Sequence, residues 1–188
     1  MFEINELKAK LKKTDGFRVK HTESVEKTAI KMAKNHNVDL NKVKIASLLH
    51  DYARNFSNAK LKKIAKENNI DVDEIEKKVP ALLHSGVGAY LAEKEFNIKD
   101  QDILNAIRYH TIGRPGMSML EKIIFVADVV EPGRDFPGVD LIREKMYKNI
   151  DEAVILVCDF TIKYNIDRRR IIHPNTLFTR NSLLKGDN

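Results

Sequence analysis

Four histidines and two aspartates in this chain carry side chains that divalent metal ions bind. Neutral imidazole and carboxylate are both ligands that first-row metals take up. Most of the six border an apolar segment, where burial is costly unless something compensates for the lost water. We therefore expect a metal site, with space for two ions, formed by His21, His50, Asp51, His84, His110 and Asp128. Such a site indicates hydrolytic chemistry on phosphate.

The pair His50-Asp51 is the centre of this prediction, because it directly follows the apolar run Ile45–Leu49. Adjacent helix positions point about 100° apart. The imidazole can therefore face one ion while the carboxylate reaches towards a second. Asp128 likewise ends an apolar run. His36 differs, because it lies at a polar helix end and is predicted to be a surface or internally satisfied residue.

Helical spacing of apolar residues dominates the chain and predicts an all-α fold. Asp39, Ser57 and Ser118 are expected to cap helices, and Gly113–Gly116 and Glu131–Gly138 read as loops. The predicted helices cover about 4–13, 17–37, 39–53, 57–67, 71–79, 88–96, 100–110, 118–130, 139–148 and 151–164, followed by a less regular C-terminus. No linker or repeat divides the chain, so residues 1–188 are expected to form one domain.

Composition narrows the class of protein. A chain of 188 residues can bury a sizeable core. No apolar run is long enough for a membrane span, and the N-terminus has no signal-peptide pattern. The lone Cys158 excludes a disulfide within the chain and is predicted to be a buried structural thiol. These features indicate a cytoplasmic protein.

The net charge of +6 suits an anionic partner such as a nucleotide. Lysine runs such as Lys8–Lys13 and Lys60–Lys63 are not interleaved with aromatic residues and are typical of solvated helix faces. A nucleic-acid partner is therefore not expected. A homodimer is compatible with the sequence, although no feature of the sequence indicates one.

The order of a single histidine, a His-Asp pair and a distant aspartate resembles the HD superfamily of metal-dependent phosphohydrolases. His84 and His110 match the two additional histidines of members that hold two metals. Within that superfamily, the chain resembles the bacterial symmetrical diadenosine-tetraphosphate hydrolase family. The stretches that carry this resemblance run from about 18 to 181: Arg18–Thr22, Leu48–Arg54, Leu83–Gly86, Ile107–Thr111, Ile124–Asp128, Glu131–Arg134, Ile172–Thr176 and Arg180-Asn181.

The resemblance implies an HD-type helical bundle with a dinuclear centre. His21, His50 and Asp128 would hold one metal. His84 and His110 would hold the other, and Asp51 would bridge the two. The family suggests iron, whereas the ligand types alone are equally compatible with manganese, cobalt or zinc. Two such cations lower the pKa of a water between them, and the resulting hydroxide would split diadenosine tetraphosphate into two ADP.

Five basic residues are candidates for holding the polyphosphate: Arg18, Lys20, Arg54, Arg114 and Arg134. Arg18 is three positions before His21 and Arg54 four after His50, so each can share a helix face with a ligand. Arg114 and Arg134 lie in the two predicted loops. Asp51 and Arg54 are expected to take part directly in catalysis. The alternative for each arginine is a surface ion pair.

Other residues keep two interpretations. Thr111 is read as a helix-end residue rather than a phosphate contact, and Tyr109 and Phe136 as core residues rather than stacking partners of a base. The run Arg168–Arg170 is typical of a solvated face. Its nearness in sequence to His173–Asn175 leaves a nucleotide contact open.

Two other functions remain open from the sequence. The same metal centre could serve another nucleotide phosphohydrolase, acting on nucleoside monophosphates or triphosphates, because the ligands fix the reaction and the pocket fixes the substrate. A helical module that senses a nucleotide or binds RNA without turnover is the third interpretation. The presence of all six ligand candidates counts against that third interpretation.

Overall fold

The structure, a computed structural model, describes residues 4–14 and 18–184, and these ranges contain eleven α-helices and no strand. The predicted all-α class is confirmed. The helices are α1 Ile4–Thr14, α2 Val19–His36, α3 Leu40–Leu49, α4 Asn58–Glu67, α5 Glu74–Lys78, α6 Leu83–Phe96, α7 Gln101–Tyr109, α8 Met119–Val130, α9 Val139–Lys148, α10 Ile150–Asp167 and α11 Pro174–Leu184. A single 3₁₀ turn at Pro80–Leu82 leads into α6.

Polar side chains fix the starts of several helices, as the sequence predicts. Asp39 accepts a hydrogen bond from the backbone N–H of Asn41 at 2.7 Å, and Ser57 accepts one from Lys60 at 3.3 Å. Ser118 and Glu121 form a reciprocal capping box at the start of α8. Each cap satisfies backbone donors that have no partner inside the helix.

The core forms around α8, which packs against α2, α3, α7, α9 and α10. Its apolar run is buried on nearly every side, and Phe125 is 1% exposed. Met32 of α2 and Leu49 of α3 are fully buried in the same cluster. A helix that is surrounded in this way can hold a polar residue at its end, such as Asp128, at a fixed place in the interior.

Several helix boundaries differ from the predicted ones, most of all at α3 and α6. Helix α3 ends at Leu49 instead of continuing to Ala53, because residues 51–56 form tight turns closed by bonds such as Arg54 N–H to Asp51 O at 2.9 Å. Helix α6 begins at Leu83, five residues earlier than expected. The predicted start of α2 at Phe17 lies outside the described residues.

The C-terminus is more regular than predicted, because Pro174–Leu184 forms α11 and packs on α10. Pro174 occupies the first position of the helix, where its missing N–H costs nothing. His173 precedes it, and its Nδ1 accepts a hydrogen bond from the backbone N–H of Asn175 at 3.1 Å. The prediction of irregular structure was wrong here because an imidazole in place of a serine or aspartate cap gives little signal in sequence.

Two predicted structural residues have the expected surroundings. The Nε2 of His36 lies 3.1 Å from the backbone oxygen of Met146, so this histidine is satisfied away from the other histidines. Cys158 is fully buried, and burial raises the pKa of its thiol to about 12, with a smaller contribution from Asp159. No helix in the described ranges combines the length and apolar composition that crossing a bilayer would require.

Candidate metal centre

The six residues predicted to bind metal lie together where the ends of five helices meet. His21 is in the first turn of α2, and His84 is in the first turn of α6. His50 and His110 directly follow α3 and α7, and Asp128 is near the end of α8. Each side chain therefore projects from a rigid helix end into one common space.

The carboxylate of Asp51 lies between two pairs of histidines. Its Oδ2 is 3.6 Å from His21 Nε2 and 3.4 Å from His50 Nε2. Its Oδ1 is 3.4 Å from His84 Nε2 and 3.5 Å from His110 Nε2. Because each oxygen faces its own pair, this one carboxylate can be shared by two neighbouring cations.

Asp128 completes the side of the cluster that contains His21. Its Oδ1 lies 3.1 Å from His21 Nε2 and 4.0 Å from His50 Nε2. Three groups of ligand atoms each fit within 4.8 Å, and one of them is His50, His110 and Asp128. The other two groups are His21 with His50 and Asp51, and Asp51 with His84 and His110. These residues could therefore hold metal ions in adjacent positions.

The outer nitrogens of the four histidines are held by acceptors, which directs Nε2 of each ring into the cluster. Three rings bond through Nδ1 to the carbonyl three residues earlier: His50 to Ser47 at 2.7 Å, His84 to Ala81 at 2.6 Å and His110 to Ile107 at 2.8 Å. The fourth, His21, faces Glu131 Oε1 at 3.3 Å. A proton on Nδ1 leaves a lone pair on Nε2 for a metal.

The unsatisfied atoms of the cluster fit divalent cations. The Nε2 atoms of His21 and His50 are buried and make no hydrogen bond of acceptable geometry within the described residues. The Nε2 atoms of His84 and His110 face each other at 3.3 Å. When both rings carry their proton on Nδ1, these are two opposed lone pairs. Leaving such atoms without a partner costs about 1–3 kcal/mol each, and a bound cation would remove that cost.

The electrostatics of the cluster favour ionised carboxylates. Burial opposes the charge of Asp51, but the adjacent His50 and the neighbouring imidazoles of His110 and His84 lower its pKa well below the usual value. Burial also opposes the charge of Asp128, yet the imidazole of His21 beside it lowers its pKa. Burial lowers the pKa of His84, which favours the neutral ring that a metal requires.

The model of the HD domain family matches residues 18–133 of this sequence, a range that contains all six cluster residues. The chain belongs to the HD domain family. The prediction of an enzyme of this superfamily, made from the order of the histidines and aspartates, is confirmed. This HD hydrolase therefore carries its His-Asp pair, His50-Asp51, at the centre of the cluster.

Several known proteins are similar to this HD hydrolase. A symmetrical bis(5'-nucleosyl)-tetraphosphatase of Bacillus subtilis is 40% identical, and the alignment covers 88% of this chain and 89% of that protein. One of the same description from Staphylococcus aureus is 35% identical over 85% and 83% of the two chains. A crystal structure from Clostridium acetobutylicum, described as a predicted HD superfamily hydrolase involved in NAD metabolism, is 38% identical. It has a TM-score of 0.94 over 98% of both chains.

Three of the basic residues proposed for substrate lie beside the HD cluster. Arg18 Nη2 is 2.7 Å from Asp51 Oδ2, and Arg134 Nη2 is 2.9 Å from Asp128 Oδ1. The exposed Arg54 places Nη1 3.4 Å from His84 Nδ1. Arg18 and Arg134 therefore contact the two carboxylates directly, whereas Arg54 stands at the outer edge of one histidine.

The other two basic residues are placed differently. Arg114 donates two hydrogen bonds to the buried carboxylate of Glu121, at 2.8 and 2.9 Å. These bonds hold Arg114 to the capping box of α8. Its contacts are therefore those of an ion pair, the alternative to a substrate role. Lys20 is exposed beside His21 and makes no hydrogen bond or ion pair with the described part of the chain.

Two residues at the site were not assigned to it from the sequence. Glu131 is 5% exposed and contacts His21. Burial raises its pKa, but the backbone N–H of Gly133, the side chain of Ser24 and His21 together lower it overall. Thr111 was read as a helix-end residue, but its hydroxyl lies 3.2 Å from His110 Nε2 and 3.4 Å from His84 Nε2. Only its position directly after His110 could have indicated that contact.

Proposed function

We propose that this chain hydrolyses dinucleoside tetraphosphates symmetrically, converting diadenosine tetraphosphate and water to two ADP. The observation that carries the proposal is the position of Asp51, whose two oxygens each face a separate pair of histidine nitrogens. Relatives that align over most of the chain are described as symmetrical bis(5'-nucleosyl)-tetraphosphatases, which supports this substrate over other phosphate esters.

The donor set suits two divalent cations. His21, His50 and Asp128 would hold one, His84 and His110 the other, and Asp51 would contact both. When bound, such a pair lowers the pKa of water and neutralises phosphate oxygens. Iron is our proposal for the metal, and manganese, cobalt and zinc accept the same nitrogen and oxygen ligands.

The basic residues beside the cluster are proposed to take different parts in binding the polyphosphate. Arg134 is 40% exposed, and its guanidinium has donors beyond those bonded to Asp128. Arg54 is exposed next to His84 and is proposed to stabilise the charge that develops on the phosphate. Arg18 is less exposed, so we assign it mainly to positioning Asp51. Lys20 is proposed to attract the anionic substrate from solvent.

The reaction consumes one water. Its oxygen forms a bond to an inner phosphorus of the tetraphosphate, while the bond from that phosphorus to the central bridging oxygen breaks. One ADP carries the oxygen from water and the other ADP leaves with the bridging oxygen.

This chemistry needs a nucleotide and no second protein chain. The homodimer that the sequence left open has no support in the structure or the relatives.

Product analysis tests the proposal. Metal-loaded protein is incubated with diadenosine tetraphosphate, and the nucleotides are separated by chromatography. ADP as the sole product supports symmetrical cleavage. AMP with ATP would contradict it, and so would turnover restricted to mononucleotides, which would favour the other phosphohydrolase. Binding without turnover would favour a sensor.

A further inference from the structure

Two cavities of similar size are each lined by one residue that contacts the metal cluster. The first, here called the aromatic cavity, has a volume of about 440 Å³ and is lined by Arg134, Phe136, Phe160, Thr161 and Tyr164. The second, here called the basic cavity, has a volume of about 460 Å³ and is lined by Thr111, Thr161, Asn165, Arg169 and Arg170. Both volumes fall in the range that small-molecule sites occupy.

The aromatic cavity reaches the cluster through Arg134. This residue lines the cavity and at the same time donates to Asp128 Oδ1 at 2.9 Å. Asp128 belongs to the side of the cluster that contains His21. The polyphosphate of a nucleotide whose base lies in the aromatic cavity would therefore contact Arg134 before it reaches the cluster.

The basic cavity reaches the cluster at its other side. Thr111 lines this cavity, and its hydroxyl lies 3.2 Å from His110 Nε2. His84 and His110 face Asp51 Oδ1, whereas His21 and His50 face Asp51 Oδ2. The two cavities thus approach the cluster from the two sides that Asp51 separates.

Thr161 of α10 lines both cavities, so they are neighbours along one face of the molecule. Helix α10 lies beyond residues 18–133, the range that the HD family model matches. Helix α10 therefore supplies part of the wall of both cavities, and Thr176 of α11 adds to the basic cavity.

The linings differ in chemistry. The rings of Phe136 and Phe160 are stacked with centroids 3.9 Å apart, and Tyr164 lies 5.9 Å beyond Phe160. Aromatic surfaces of this kind stack on nucleobases. Arg169 and Arg170 are exposed at the basic cavity and offer guanidinium groups to an anion or to a base.

We propose that each cavity receives one nucleoside end of the same dinucleotide, so that the tetraphosphate crosses the cluster with its central bond over Asp51. This inference rests on the proposed function and extends it to how the enzyme selects the bond that is cleaved. Symmetrical cleavage requires the cut to fall equally far from both nucleosides. An enzyme that binds both nucleosides thereby positions the central bond of the tetraphosphate at the metal site. An enzyme that binds only one nucleoside must fix the position of the cleaved bond by its distance from that nucleoside.

The remaining large cavity does not compete for this role. It has a volume of about 650 Å³ and lies between α4 and α5, lined by residues such as Lys62, Lys66 and Lys77. None of its lining residues makes a hydrogen bond or ion pair with a cluster side chain, as Arg134 and Thr111 do at the other two cavities. The cavity that touches Asp51 beside Leu48 has a volume of only about 30 Å³, which is too small for a nucleoside.

Product binding tests the two-ended arrangement. Calorimetric titration of metal-loaded protein with ADP should give two ADP per chain, because each product stays in its own cavity. The double variant Arg169→Ala/Arg170→Ala should retain one ADP, and so should Phe136→Ala. Both should raise KM for diadenosine tetraphosphate by about tenfold or more, as expected for the loss of stacking or charged contacts to a nucleotide.

Matched controls separate these effects from general damage. Lys163→Ala removes an exposed charge of α10, and Phe178→Ala removes an exposed ring of α11; neither residue lines a cavity. Both controls should bind two ADP with unchanged KM. Tyr164→Ala replaces Phe136→Ala if the latter does not fold, since Tyr164 is 36% exposed.

The outcomes distinguish this inference from the proposed function. One ADP per wild-type chain, or an unchanged KM in the variants of either cavity, overturns the two-ended arrangement while symmetrical hydrolysis stands. Failure of the wild type to form ADP from the dinucleotide overturns the proposed function itself, and the two-ended arrangement with it.

Discussion

His21 Nδ1 and Glu131 Oε1 lie 3.3 Å apart although 110 positions separate the two residues in sequence. The other three histidines of the cluster use a carbonyl one turn earlier for the same purpose. His21 follows the start of α2 at Val19 by only two residues, and the carbonyl of Arg18 is taken by Thr22 N–H at 2.9 Å. The buried carboxylate of Glu131 thus replaces a backbone acceptor.

Replacing Glu131 should weaken metal binding without touching a ligand. In Glu131→Gln the acceptor loses its charge, so the ring of His21 is less basic and less well oriented. We expect the affinity for the metal that His21 would hold to fall by about 10–100-fold. Competition with a chelator, monitored by metal content, measures it.

The control for this experiment is Glu26→Gln. Glu26 is a buried carboxylate on α2, the helix that carries His21, and it pairs with Lys8 at 2.7 Å instead of with a cluster residue. Its variant should bind metal as the wild type does. Equal metal affinities for Glu131→Gln and the wild type would show that Glu131 does not position His21.

Arg134 and Arg114 should respond differently to removal, although both were predicted from the sequence to hold phosphate. Arg134→Ala should lower kcat/KM by about 10–100-fold, the size expected for a lost charged hydrogen bond to substrate. Arg114→Ala should instead lower the melting temperature, because it leaves the buried Glu121 without its bidentate partner. Steady-state kinetics and thermal unfolding of both variants make the comparison. Unchanged kinetics in Arg134→Ala would return Arg134 to the role of a surface ion pair.

Acid should weaken the contact between Asp73 and His173, which joins the start of α5 to the segment before α11 at 2.6 Å. Burial raises the pKa of Asp73, but the backbone N–H of Glu76 and the imidazole of His173 outweigh it, so the net shift is downward from 3.8. A depressed carboxyl pKa stabilises the folded state above the unfolded pKa and loses that effect as pH falls.

Thermal unfolding of the wild type and Asp73→Asn therefore should differ most well above pH 3.8, and the difference should shrink as the pH falls below that value. The variant keeps an oxygen that can cap α5, and it loses the titrating group together with the acceptor for His173 Nε2–H. Asp140→Asn, at a carboxylate that is 91% exposed, should follow the wild type at each pH. A difference between the wild type and Asp73→Asn that stays constant with pH would be inconsistent with the lowered pKa.

Local signals in the sequence were enough for most of the fold. Asp39, Ser57 and Ser118 cap helices as their residue types predict. The start of α6 was misplaced because Gly86 and Gly88 weaken the helical pattern there. The reason for Gly86 lies elsewhere in the structure, since a Cβ on it would meet the guanidinium of Arg108 at 3.1 Å. Because Gly86 and Arg108 are far apart in sequence, their contact leaves no pattern in the residues around Gly86.

The same distinction applies to the site. The six cluster residues could be selected because each is a metal-binding residue type and most border apolar segments. Glu131 and Thr111 could not, because a glutamate before Pro-Gly and a threonine after a helix are ordinary loop residues. Their importance depends on which histidine nitrogen they face. The cavity lined by Arg169 and Arg170 likewise requires the fold of α10 onto the cluster.

The metal count of the wild type beside Asp51→Asn tests the central claim most directly. The claim is that one carboxylate joins two cation sites. Mass spectrometry of metal-loaded protein should find two ions per wild-type chain and at most one in Asp51→Asn, with the helical circular dichroism unchanged and hydrolysis of diadenosine tetraphosphate lost. A single ion in the wild type, or two ions retained in Asp51→Asn with full activity, would contradict it.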